Sequence, residues 1–165
     1  MTLTKETGSV VSGANTYVDL ADVRAFASAR GITLSTDDTT LEQQIIQAMD
    51  YVESKRNLFQ GYKVDSAQSL QFPRYNVVID YYPVDYDSIP NDLLNAVCQV
   101  VVEITNGTDL TPTVTERPMI RDTTGPLTTE WSDKWGSFTQ PVMPKVEAFL
   151  KPLYKSNGES VLIHS

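Results

Sequence analysis

Cysteine and histidine are almost absent from this chain, and each absence removes a class of chemistry. The single cysteine, Cys98, excludes an intrachain disulfide and fits a reducing compartment or a fold that needs no staple. It lies in an apolar helical run with no histidine close in sequence, where a thiol acts as a small hydrophobe rather than a nucleophile. The single histidine, His164, is the penultimate residue, so pairs and triads with an imidazole base have no candidate elsewhere. Zinc would find too few Cys and His ligands. No GxxxxGK[ST] or GxGxxG phosphate loop occurs. No apolar run approaches the roughly 20 residues of a transmembrane helix, and the opening MTLTKETGSV lacks the apolar core of a signal peptide. These absences lead to the expectation of a soluble, non-enzymatic protein made in the cytoplasm, with no metal and no cofactor.

Cations are scarce as well. Lys plus Arg number 13 against 21 Asp plus Glu, a net charge of −8 that should repel nucleic acid and anionic membranes. From Tyr75 through Glu116 there is no Lys or Arg, while Asp80, Asp85, Asp87, Asp92, Glu103, Asp109 and Glu116 all fall in that interval. No basic stripe can run there, although Lys55, Arg56, Lys63 and Arg74 could still assemble one elsewhere. Asp85, Asp87 and Asp92 could be imagined around a divalent cation, but their spacing matches no calcium loop and they read as solvated loop acids.

What the sequence does contain is helical periodicity. A chain of 165 residues, 41% hydrophobic and 21% charged, suits one domain, and nine Pro with eight Gly imply long ordered loops. Residues 1–18 alternate small, polar and β-branched residues around Gly8 and Gly13 and read as an extended N-terminal arm with little to bury. Residues 19–107 hold three helices. The first starts at Asp19, with Asp22 completing an approximate capping box, and runs to Arg30 with Gly31 as its stop. The second is capped by Asp37 or Asp38 and places Leu41, Ile45, Ala48, Met49 and Val52 on one face. The third opens with Ser88 as its cap and Pro90 in its first turn, and is apolar around much of its circumference, which makes it central. A fourth helix spans 142–154, with Pro152 disturbing its final turn. Residues 155–165 form a polar tail. The fold class is therefore mainly α: a small four-helix domain with a β-hairpin-like arm between the third and fourth helices and extended N- and C-terminal arms.

Two stretches stand apart from the helices. Tyr62 to Ser88 is a long loop that concentrates Tyr62, Phe72, Tyr75, Tyr81, Tyr82 and Tyr86. Stacking platforms for bases pair such aromatics with a positive groove. With only Lys63 and Arg74 in that loop, aromatic anchors packed against the helices or another subunit are favoured. Residues 108–141 form the hairpin arm. In it Met119, Ile120 and Arg121 make a short extended run, Asp122 to Pro126 is turn chemistry, and Leu127 to Trp131 resumes with strand-forming residues. Trp131 and Trp135 either cover the domain's own core or anchor an inter-subunit contact, and composition leaves both open. The candidate interface residues are Arg117, Met119, Ile120, Arg121, Leu127, Trp131 and Trp135 on the arm, and the apolar triplet Val161, Leu162 and Ile163 in the tail.

Four motifs carry a resemblance. The run ETGSVVSGANTYVDLADVRAFASARG at Glu6–Gly31, LQFPR at Leu70–Arg74, IPNDLLNAVCQVVVEI at Ile89–Ile104 and GPLTTEW at Gly125–Trp131 stand in the order found in a family of phage and prophage proteins. That family goes by two descriptions, DnaT-like single-stranded DNA-binding proteins and head-tail connector adaptors. The resemblance covers most of residues 6 to 154. It implies a mainly helical adaptor in the neck of a tailed phage virion, assembled as a ring of twelve copies below the portal protein and above a tail or stopper protein, with DNA passing through without specific binding. The other description implies single-stranded DNA binding. The acidic balance and the cation-free interval fit the adaptor better, because a DNA-binding groove needs cations to replace released counterions.

Overall fold

In a computed structural model, residues 2–110 and 143–155 are described in full, and residues 119–123 and 128–131 by their backbone alone. Among the described residues, four helices occur in the expected order with three short antiparallel hairpins between them. Helix α1 (Leu20–Ser28) begins at the expected capping box. Asp19 accepts the Asp22 backbone N–H at 2.9 Å, and Asp22 accepts the Asp19 N–H at 2.9 Å. The helix ends two residues earlier than expected, and Gly31 at φ +65 lets Ile32 N–H reach back to Ala27 O. Helix α2 (Asp38–Ser54) is capped by Asp37, whose side chain accepts the Thr40 N–H, and buries Leu41, Ile45, Ala48, Met49, Tyr51 and Val52.

Between α2 and the third helix lie β1 (Tyr62–Lys63), paired with β2 (Arg74–Tyr75), and β3 (Val78–Ile79), paired with β4 (Tyr82–Pro83). Helix α3 (Asn91–Thr105) is central, as its apolar circumference predicts, and it packs against α1, α2 and the last helix. Its start differs from expectation. Pro90 takes the cap position without any side-chain cap, and Ser88 Oγ donates instead to Asp85 O, closing the preceding turn. The arm's hairpin is present as β5 (Met119–Thr123) and β6 (Thr128–Trp131), with a register irregularity between Met119 and Arg121. Helix α4 (Pro144–Leu150) tightens into a 3₁₀ turn at Lys151–Leu153, because Pro152 has no N–H to continue the helical ladder.

Residues 2–18 depart from the expected extended arm. They are not helical, but they close into a loop that packs on the body. Glu6 N–H donates to Thr16 O at 2.8 Å, and the Glu6 carboxylate, 3% exposed, accepts the N–H groups of Gly8 and Val11. Tyr17 and Val18 are fully buried. Gly8, at φ +106, lies so close to the turn before α3 that a Cβ there would stand 1.9 Å from Asp87 O. The small residues read as arm-like are small because two loops meet there.

Candidate binding face

Three separate segments converge on Gln60. Its backbone N–H donates to Leu153 O, and its side-chain Nε2 donates to both Val78 O and Pro152 O at 2.9 Å. Val78 N–H donates in turn to Gln60 Oε1 at 3.2 Å, so one amide side chain satisfies the outer edge of β3 as a neighbouring strand would. Arg74 locks the same junction from within. Only 8% exposed, it donates to Gln60 O, Gly61 O and the Gln71 backbone and side-chain oxygens. Residues 155 and 58 complete the joint, with Lys155 N–H on Leu58 O at 2.7 Å.

This joint holds an apolar surface in place. Among the described residues, the exposed large hydrophobic side chains are Leu58, Tyr62, Val78, Tyr81, Tyr82 and Tyr86, all from one stretch of chain. Tyr81 is 99% exposed and Tyr82 77%. Tyr62, Tyr75 and Tyr86 form a ladder, with centroids 5.5 Å apart in the first pair and 5.1 Å in the second, the latter stacked. Clustered exposed apolar groups of this kind mark interaction sites, whereas scattered ones do not. These aromatics were expected to pack against the helices or another subunit, and Phe72 takes the first course. That ring is buried edge-on against Phe59 at 5.3 Å. Tyr62, Tyr81, Tyr82 and Tyr86 are exposed instead, and Tyr75 is half-buried between Tyr62 and Tyr86.

The electrostatics are mixed. Of the four cations that might have built a basic patch, Arg74 is spent inside, Lys63 donates to Gln68 O, and Lys55 pairs with Glu147 at 3.2 Å. Arg56 remains exposed, and Lys151 and Lys155 from the segment beside it are exposed too. Against these stand the exposed Asp80, Asp85 and Asp87, in the loop that carries the outer tyrosines.

A buried polar network ties the N-terminal loop to α2 and to the residues before β2. Tyr17 Oη donates to Glu53 Oε1 at 2.6 Å and accepts the Phe72 N–H at 3.0 Å, while Gln71 N–H donates to both Glu53 oxygens. Burial raises the pKa of Tyr17 well above, and that of Glu53 above, their ordinary values. Cys98 is buried, and burial pushes its thiol up to about 12, which leaves it inert near neutral pH. A cavity of about 510 Å³ beside α2 is lined by Gln47, Asp50, Tyr51, Ser54, Thr108, Asp109 and Leu110. Among the described residues, no three His, Cys, Asp or Glu side chains gather as a metal site, and no helix is long and apolar enough to cross a membrane.

Of the interface residues expected from sequence, Arg117, Leu127, Trp135, Val161, Leu162 and Ile163 lie outside the described residues. Met119, Ile120 and Arg121 are on β5 and Trp131 ends β6, with Met119 opposite Trp131 and Arg121 opposite Glu130. Sequence reasoning missed the prominence of Tyr81 and Tyr82. The available signal was two short extended runs separated by Asp80 and Tyr81, obscured because neither Asn nor Gly marks the turn.

No curated protein and no solved structure matches the chain. A family model described as "Putative DnaT-like ssDNA binding protein" matches residues 1–164. That description speaks for the single-stranded DNA-binding expectation and is silent on the connector. With the match running over nearly its whole length, the chain belongs to this DnaT-like family.

Proposed function

We propose that this chain is a non-catalytic adaptor that works by protein contact, a head-tail connector of the kind its motifs resemble. In this reading it forms a ring of copies that meets the portal protein on one side and a tail or stopper protein on the other, in the virion neck. The carrying observation is that the exposed large hydrophobics among the described residues all come from residues 58–86, where the buried Arg74 is consumed in holding the stretch together. Tyrosines set among mixed charges suit a protein interface. The net charge of −8 suits a channel wall along which DNA slides without sticking. The hairpin β5–β6 supplies a second contact in this reading, through Met119, Ile120, Arg121 and Trp131.

Single-stranded DNA binding is the second reading, favoured by the family description and by tyrosine rings able to stack on bases. Its weakness is electrostatic. The three exposed cations beside the Gln60 joint, Arg56, Lys151 and Lys155, could release counterions enough for a logarithmic salt slope of only about −2, before Asp80, Asp85 and Asp87 oppose them. Two measurements on the purified chain separate the readings. Co-sedimentation with portal rings is expected to be positive, and fluorescence anisotropy with labelled oligonucleotides at low salt is expected to be flat. A tight oligonucleotide signal with a steep salt dependence, together with no portal binding, reverses the order.

A further inference from the structure

We infer that the strip from Asp80 to Asp87 is a receptor for arginine side chains on a basic segment of another protein. This deepens the protein-contact reading above, on which it rests, by giving the chemistry of the partner. The strip reads DYYPVDYD, so three acids are interleaved with three tyrosines over residues 80–87. All six of those side chains are exposed. Among the described residues, the carboxylates of Asp80, Asp85 and Asp87 have neither a hydrogen-bond donor nor an ion-pair partner. No Lys or Arg occurs from Tyr75 through Glu116 to supply one locally. The exposed Arg56, Lys151 and Lys155 come from other segments, and none of them pairs with these acids.

The strip is held in shape before any partner arrives. Gln60 clamps the outer edge of β3 through Val78, and Val84 N–H donates to Val77 O at 2.9 Å. Ser88 closes the following turn, its N–H and Oγ both donating to Asp85 O, at 3.2 and 2.9 Å. The Tyr86 ring lies stacked on Tyr75 at 5.1 Å, and Gly8 backs the Asp87 carbonyl. A surface ordered in advance loses little freedom on binding. Tyr81, 99% exposed, and Tyr82, 77% exposed, therefore offer open rings next in sequence to an unpaired carboxylate. A guanidinium satisfies both, because it stacks on an aromatic face while its fork of N–H donors takes a carboxylate. The chain uses the same stacking internally, with the Arg30 guanidinium 3.5 Å from the centre of the Phe26 ring. A second copy of this chain is a poor occupant, since each copy carries a net charge of −8, and a polyanion is opposed by the three acids. Contacts between copies in a ring thus fall to other surfaces, and the strip meets a different protein.

Isothermal titration calorimetry on the whole chain tests this, with a short peptide alternating arginine and glycine and its lysine counterpart of equal length and charge as the probes. The arginine peptide is expected to bind, and the lysine peptide to bind several-fold more weakly, because an ammonium neither forks nor stacks as well. Tyr81→Ser combined with Tyr82→Ser should weaken arginine-peptide binding on the order of tenfold, and Asp85→Asn combined with Asp87→Asn by a similar factor. These side chains are exposed, so the melting temperature should hold. The tyrosine pair also leaves the net charge unchanged, so its effect is not one of bulk attraction. Equal binding of the two peptides overturns the inference, as does a tyrosine variant that binds like wild type. A tyrosine variant that loses oligonucleotide binding overturns it too and assigns the strip to nucleic acid. Portal co-sedimentation is read independently: arginine selectivity without portal binding keeps the strip and sinks the adaptor reading, and portal binding without arginine selectivity does the reverse.

Discussion

Replacing Tyr17 with Phe should destabilise the fold by about 3 kcal/mol, because one hydroxyl serves two buried partners. It donates to Glu53 at 2.6 Å and accepts the Phe72 N–H at 3.0 Å, with Tyr17 itself fully buried. The first loss is a hydrogen bond to a charged acceptor, worth about 1.5 to 3 kcal/mol. The second leaves a buried N–H without its partner, at about 1 to 3 kcal/mol, and the two overlap because the ring stays in place. In a chain of this size that corresponds to roughly 6 to 12 °C in melting temperature. Glu53 adds a pH signature. Burial raises its folded pKa, so the stability linked to its protonated form is present below the unfolded value of 4.5 and is lost as pH rises through the folded value. Removing a donor raises that folded pKa further, so the deficit of Tyr17→Phe should be larger at neutral pH than near pH 4. Urea denaturation at both pH values measures it. A deficit under about 1 kcal/mol, or one independent of pH, would refute the idea that this network ties the N-terminal loop, α2 and the residues before β2 together.

Gly61→Ala should cost at least about 2 kcal/mol, since Gly61 sits at φ +68 and a Cβ there would lie 1.9 Å from Tyr75 O. Thermal melting reads the loss, and a change near zero would contradict the close approach. Asp19→Ala should cost about 1 kcal/mol through the lost cap of α1. The N–H of Asp22, then Lys5, hold the Asp19 carboxyl below its usual pKa. Its contribution is thus present above the unfolded value and lost as pH falls through the folded one, so the variant's deficit should fade in acid titration. On the arm, Trp131→Ala or Arg121→Glu should impair portal co-sedimentation more than it lowers the melting temperature. A lowered melting temperature with normal co-sedimentation would make these residues part of the fold instead.

The helices were legible because their signals are local. Asp19 and Asp22 stand at capping-box spacing, and Leu41, Ile45, Ala48, Met49 and Val52 share a face whatever surrounds them. The cap at Ser88 was misread because its hydroxyl had a nearer acceptor in Asp85 O. The candidate face was not legible, since the exposure of Tyr81 and Tyr82 depends on non-local bonds, Gln60 to Val78 and Pro152, and Arg74 to Gln60 and Gly61. Nothing in the spacing of six aromatics says that Phe72 turns inward while Tyr62 and Tyr82 turn out.

The motifs that carry the family resemblance mostly serve the frame. Tyr17 and the Asp19 cap come from the first motif. Phe72 and Arg74 of LQFPR are buried, and the IPNDLLNAVCQVVVEI segment is the central helix. Tyr81, Tyr82, Asp80, Arg56, Lys151 and Lys155 lie outside all four motifs. Three of the four motifs thus serve the fold, while the fourth, GPLTTEW, ends at Trp131 on the hairpin proposed as a contact. A family description of DNA binding would hold for this chain only if its own outward residues supplied the cations. Around the tyrosine-rich stretch, the exposed Asp80, Asp85 and Asp87 equal in number the exposed Arg56, Lys151 and Lys155, and the protein-contact proposal rests on that balance.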